Sequence, residues 1–284
     1  METHGQLASH VLEQFGVAGE PRPLPGGSRP VFRVGDLVLK RFGPGSLEHD
    51  RSLDLAPWLM EVLAHLPQVG FRIPRPVQTR DGRWLTDDGW TAWSYLEGRH
   101  ATADDVPACT DAILALHRAL RAVPKHPLLD HNQSKFGRAD EACWGDTPDQ
   151  VHPAVKPLVD ALYGVRKPID GLEAQLIHAD LNRENILVAP GRPPAFLDLA
   201  PFWRPPEFAL ALFANWIGPR RGDPSVLRLF TDVRHFDQLL IRAGIRMLLI
   251  MTGQLDRFET SPEARAAQII LDHITGSPRR TARP

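Results

Sequence analysis

The apolar residues of this chain change their spacing once, near residue 100, and that change restricts the fold more than any other feature. Before it, Val31 to Val34 and Leu37 to Lys40 form two β-rich runs around a Gly35-Asp36 turn, the pattern of a hairpin. Residues 47 to 66 carry an apolar stripe of Leu55, Leu59, Val62, Leu63 and Leu66, the spacing of one helix. Ile73 to Gln78, Arg83 to Leu85 and Thr91 to Leu96 are strand-like, with a turn at Asp87 to Gly89. After it, Asp104-Asp105 opens a helical period marked by Ile113, Leu116, His117 and Leu120, carboxylates being favoured at a helix start. A Pro-studded stretch, 122 to 170, separates that helix from short strands and loops at 175 to 198, and from Phe208 the chain is again helical. At the N-terminus, Thr3 and Gln6 have the spacing of a capping box ahead of Leu7, Val11, Leu12 and Phe15, and Gly16 stops that short helix. The pattern defines an α+β chain. A β-rich lobe with one internal helix, residues 1–96, joins a larger α-rich lobe, residues 97–284.

Charge narrows the function. The chain carries 33 Lys and Arg against 34 Asp and Glu, a formal net charge of -1. This lacks the basic excess of a nucleic-acid or membrane-surface binder, so neither partner is expected. No apolar run reaches the roughly 18 to 20 residues that span a bilayer, and a cytoplasmic protein is expected. Cys109 and Cys143 are too few for a disulfide framework and read as packed thiols. Only five of the basic residues are lysine, and Lys40 is the sole one before Lys125. Arginine is the default cation here, so Lys40 calls for a reason.

The densest polar cluster is His178-Ala179-Asp180-Leu181-Asn182-Arg183-Glu184-Asn185, lodged between Leu176-Ile177 and Ile186-Leu187-Val188. A further apolar run, Ala195-Phe196-Leu197, ends in Asp198. If 186–188 and 195–197 pair over an Ala189 to Pro194 loop, the turn centres between Gly191 and Arg192, and Asn185 and Asp198 face each other. An amide oxygen and a carboxylate so placed are hard ligands suited to Mg²⁺, which completes its shell with water and phosphate oxygens. Asp180, on the same connection, is placed to act on a hydroxyl near that metal. His178 reads as a buried brace.

His178-x-Asp180-x-x-x-x-Asn185 followed by Asp198 resembles the catalytic loop and metal-binding segment of the aminoglycoside phosphotransferase and choline kinase family, the small-molecule branch of the protein-kinase-like fold. The resemblance implies a bilobal fold and a phosphoryl transfer from ATP, assisted by Mg²⁺, to a hydroxyl of a small molecule. It implies that Asp180 accepts or orients the acceptor hydroxyl and that Asn185 and Asp198 hold the metal. By the same resemblance Lys40 grips the α- and β-phosphates, and Glu61 pairs with it, with Glu48 the weaker choice. Gly26-Gly27-Ser28 corresponds to the turn covering the phosphates. In Ser94-Tyr95-Leu96-Glu97-Gly98-Arg99, which resembles the hinge, the main chain of Ser94 and Leu96 would meet the adenine edge. Asn182 stands where many members have His, and Trp93 is bulky for a position bordering the adenine pocket. The acid that often braces the loop from the next helix is replaced by Glu207 as the nearest candidate. The competing reading is a catalytically inactive nucleotide-binding sensor or scaffold of the same fold.

Overall fold

The computed structural model describes residues 7, 9–25, 30–41, 50–146, 151–251 and 255–276. Gly26, Gly27, Ser28 and Glu48, and the Thr3-Gln6 capping pair, lie outside them. The chain opens on helix α1 (Ser9–Phe15), which Gly16 ends at φ +66°. A five-stranded antiparallel sheet follows, built from β1 (Arg22–Pro23), β2 (Val31–Val34), β3 (Leu37–Arg41), β4 (Pro76–Val77) and β5 (Trp90–Ser94), in the order β1-β2-β3-β5-β4. Helix α2 (Asp50–His65) lies between β3 and β4 in the chain.

Alternation along β3 and β5 sorts the two faces of this sheet, since successive side chains point to opposite sides. Leu39, Trp90 and Ala92 face α1 and bury with Val11, Phe15, Phe32 and Val34. The other face presents Val38, Lys40, Thr91 and Trp93, paired Lys40 to Thr91 and Val38 to Trp93. Trp93 buries with Met60 and Leu63 of α2 and with Leu66 just past it, in the same core as the C-terminal helices. Thus Lys40 stands on the face turned toward the rest of the molecule.

The expected strand at Arg83 to Leu85 is not formed. Thr79 takes that segment instead, donating its hydroxyl to the Arg83 carbonyl and accepting from the Arg83 amide, and Thr86 accepts from the Trp90 amide. Two side-chain-stabilised turns outcompete a three-residue strand. Strand β4 is likewise shorter than Ile73 to Gln78, since Pro74 and Pro76 bring no amide to a ladder, and the Arg75 guanidinium reaches the end of α2. It donates to the carbonyls of Leu63, Ala64 and Leu66, orphan acceptors of a helix C-terminus. Arg75→Ala is expected to cost about 1–3 kcal/mol, measured by urea unfolding, with a Lys variant recovering only part of it.

From Ser94 the chain crosses to the C-terminal part. Strand β6 (Arg99–His100) pairs with β8 (Ile186–Ala189), which pairs with β9 (Arg192–Phe196), while β7 (Gln175–His178) pairs with β10 (Pro201–Arg204). Gly98 permits this crossing: a Cβ there would stand 2.9 Å from Leu187 Cβ and 3.0 Å from the Val188 carbonyl oxygen. The helices are α3 (Val106–Leu120), α4 (Lys135–Trp144), α5 (Lys156–Val165), α6 (Pro206–Ile217), α7 (Phe236–Ile250) and α8 (Pro262–Thr275). The Pro-studded stretch therefore holds two helices. Proline removes no bond from a first helical turn, whose amides have no intrahelical acceptor, and Pro157 occupies that place in α5. Among the described residues, no helix is long and apolar enough to cross a membrane. Cys109 and Cys143 are free and buried.

Candidate active site

The catalytic-loop candidate leaves β7 at His178, and His178 organises everything around it. Its imidazole is fully buried; Nε2 donates to the Leu197 carbonyl at 3.0 Å, and Nδ1 accepts from the amides of Asp180 and Ala200, each at 3.2 Å. One ring thus ties the loop start to both sides of Asp198. Behind it, His117 Nε2 on α3 accepts from the His178 amide at 3.2 Å. Burial lowers both imidazoles below their usual range, His117 to about 3.

The sign of the resulting pH effect follows from that burial. The unfolded histidines bind protons below about pH 6.5, whereas the folded ones stay neutral, so stability is retained above pH 6.5 and lost as pH falls. The expected loss approaches about 1.4 kcal/mol per pH unit for His117, and His178 acts in the same direction. Urea unfolding at pH 7.5 and 5.5 measures it, and His117→Gln is expected to remove one proton's share of the slope.

Asp180 is half-buried, and both its carboxylate oxygens are occupied. Asn182 Nδ2 donates to Oδ1 at 3.0 Å, and Asn185 Nδ2 donates to Oδ2 and to the Asp180 carbonyl, each at 2.9 Å. Asn182 Oδ1 in turn accepts from the Asn185 amide at 3.0 Å, capping a single 3₁₀ turn, Arg183–Asn185. With Nδ2 committed, Oδ1 is the oxygen that Asn185 has to offer. Asn182, a departure from the family pattern in the sequence, orients both neighbours; its place three residues before Asn185 is the signature of a side-chain cap.

The β8–β9 hairpin forms, but one residue tighter than expected. The turn is Pro190-Gly191, with Gly191 at φ +67°, and Ile186 pairs with Phe196, Leu187 with Ala195 and Ala189 with Arg192, across a bulge in which Pro193 and Pro194 of β9 oppose Val188. Asn185 therefore faces Leu197, whose amide donates to its carbonyl at 2.8 Å, and Asp198 lies one residue beyond. Pro193 and Pro194, expected in the loop, instead belong to an edge strand, which spares their missing amides. Arg72 covers that edge: its amide and Nε donate to the Pro194 and Pro193 carbonyls, and its carbonyl accepts from Phe196. This seam between the two parts of the molecule carried no sequence signal.

Asp198 adopts φ +49°, a left-handed conformation that Asp and Asn tolerate better than other side-chain-bearing residues. Its carboxylate is ion-paired with Lys40 Nζ. The structure thus joins the lone early lysine of the N-terminal sheet to the acid at the end of the catalytic hairpin. Glu61 is elsewhere: it accepts from Trp84 Nε1 at 3.1 Å and contacts His65 at 3.3 Å. Among the described residues, the acid bonded to Lys40 is Asp198. At the hinge, the Ser94 amide donates to the Arg75 carbonyl and the Tyr95 amide to Asp36, while the Leu96 amide donates to no group among the described residues. Glu207 sits in the first turn of α6, with one carboxylate oxygen buried and without a hydrogen-bond partner among the described residues.

A sheet-rich part and a helical part, clasped by a lysine and an aspartate beside a His-x-Asp loop, define a protein-kinase-like fold. The chain belongs to the phosphotransferase enzyme family, whose model matches residues 20–238. No curated protein matched the sequence. Solved structures that share the fold include an aminoglycoside phosphotransferase from Alicyclobacillus acidocaldarius subsp. acidocaldarius DSM 446, 14% identical, with a TM-score of 0.61 over 95% of this chain and 96% of that one. A microcompartment-associated aminopropanol kinase is 17% identical, with a TM-score of 0.60 over 94% of this chain and 96% of that one. An amicoumacin kinase in complex with AMP-PNP and Ca²⁺ is 12% identical, with a TM-score of 0.58 over 95% of this chain and 92% of that one.

Proposed function

We propose that this phosphotransferase moves the γ-phosphoryl group of ATP to a hydroxyl of a small molecule with the help of Mg²⁺, its nucleotide lobe ending at residue 96 and its acceptor lobe starting at 97. The observation that carries this reading is the Asp180 carboxylate, aimed by two asparagine amides, on the segment that also brings Asp198 to Lys40. The nucleotide complexes among the similar structures support it as well: one relative holds ADP and another AMP-PNP.

The residues suit the chemistry. Asp180 takes the hydroxyl proton as the acceptor oxygen bonds to the γ-phosphorus and the bond to the β-phosphate oxygen breaks; its two amide donors hold it in one orientation and leave lone pairs for the hydroxyl. Lys40, a compact ammonium, neutralises phosphate charge as a point cation. Asn185 Oδ1 and the Asp198 carboxylate are the hard oxygens that would hold Mg²⁺, which neutralises charge on the phosphate oxygens when bound. The Leu96 amide, which donates to no group among the described residues, would meet the adenine edge, whereas the Ser94 amide is spent on Arg75, so Ser94 would contribute its carbonyl. Gly26, Gly27 and Ser28 are assigned to cover the phosphates. Glu61 is assigned to nucleotide binding through α2.

An inactive nucleotide sensor would have no use for a carboxylate so carefully oriented. Incubation with ATP, Mg²⁺ and a panel of aminoglycosides, amino alcohols, choline-like amines and sugars, read by mass, is expected to yield a phosphoryl adduct. No adduct, together with no nucleotide-dependent thermal shift, overturns the function and leaves the fold standing.

A further inference from the structure

The assignment of Lys40 leaves open what holds its flexible stem in place. Lysine has four rotatable bonds and loses side-chain entropy when fixed, so a phosphate-gripping lysine works best when pre-positioned. One flank of its ammonium is the Asp198 carboxylate. The other is the face of an indole: Nζ lies 5.0 Å from the centroid of the Trp93 ring.

Trp93 reaches Lys40 a second way. Its Nε1 donates to Thr91 Oγ1 at 3.0 Å, and that hydroxyl donates to the Lys40 carbonyl at 3.0 Å. The three residues close a loop: indole to hydroxyl, hydroxyl to the lysine main chain, ammonium back to the indole. Register makes this geometric. Lys40 pairs with Thr91, Trp93 is two residues farther along β5 on the same face, and such diagonal neighbours are within reach of aromatic and long side chains. Thr91 is fully buried and Trp93 is 8% exposed, so the hydrogen bond between them is shielded from water. Resting on the proposed role of Lys40, we infer that Trp93 is a positioning residue that fixes both ends of the Lys40 side chain for phosphate binding.

A residue that acts through Lys40 loses its effect once Lys40 is gone. Titration calorimetry with ATP and Mg²⁺ tests this on the full chain. Trp93→Leu is expected to weaken Mg-ATP roughly 2- to 30-fold, the range of exposed to desolvated cation–π contacts. Trp93→Phe, which keeps a ring and loses the indole N–H, is expected to lose less, and Thr91→Val gives an independent break of the same loop. In a Lys40→Met background, Trp93→Leu and Thr91→Val are expected to cost nothing further. A thermal melt of each variant reports that it is folded. An additional loss from Trp93→Leu in the Lys40→Met background overturns the inference and leaves Lys40 in its role. Wild-type Mg-ATP binding by Lys40→Met overturns the role of Lys40, and the inference with it.

Discussion

Asp180→Asn is expected to lower turnover by about 10²- to 10⁴-fold, the usual contribution of a positioned general base, while Mg-ATP affinity stays near that of the wild type. The hydrogen bonds make the substitution informative. Asn185 Nδ2 bonds both the Asp180 side chain and its carbonyl, so the oxygen of a new amide would turn toward Asn185. Its NH₂ would then meet Asn182 Nδ2, donor against donor, because Asn182 Oδ1 is already committed to the Asn185 amide. That conflict is local and modest in energy, about 1–3 kcal/mol, and Asp180→Ala, which has no amide to misplace, controls for it. Both variants are expected to lose turnover alike. Turnover within tenfold of the wild type in either removes Asp180 as the group that handles the acceptor proton.

How far the sequence reveals this site depends on whether the relevant contacts are local. The β2–β3 hairpin, the α2 stripe and the apolar flanks of the 178–198 segment all show, because strand and helix periods are written in neighbouring residues. The polar cluster likewise exposes Asp180, Asn185 and Asp198. Register is another matter. A bulge opposite Val188 and a two-residue Pro190-Gly191 turn shift the hairpin by one, and alternation alone fixes which face a residue takes, not how many residues a turn consumes. Contacts between distant segments are silent altogether. Arg72 on the edge of β9, Arg75 on the end of α2 and His117 behind His178 each join segments through hydrogen bonds that no spacing encodes. The same holds for the lysine's partner. Helix spacing offers Glu61, whereas the ion pair seen among the described residues, with Asp198, spans 158 residues.

Because Lys40 and Asp198 meet across that distance, their pair could be read as a clasp for the fold alone, and Asp198→Asn decides between clasp and ligand. The Asp198 side chain is 62% exposed, and ion pairs open to solvent contribute about 0–1 kcal/mol. Stability is therefore expected to change little. Asparagine also suits the backbone, since it accepts the left-handed conformation at φ +49°. What the variant removes is one negative charge beside the lysine and one anionic oxygen for a divalent cation, and both bear on phosphate binding. The expected result is a loss of at least about 100-fold in Mg²⁺-dependent ATP affinity, the upper range for removing a group that orders a metal site, with metal-free ATP binding held or strengthened as Lys40 is released. Calorimetry with and without Mg²⁺, beside a thermal melt, separates the two roles. A lowered melting temperature with unchanged Mg²⁺ dependence makes Asp198 a clasp; a preserved melt with the Mg²⁺ dependence abolished makes it the acidic metal ligand and leaves Asn185 to supply the neutral one.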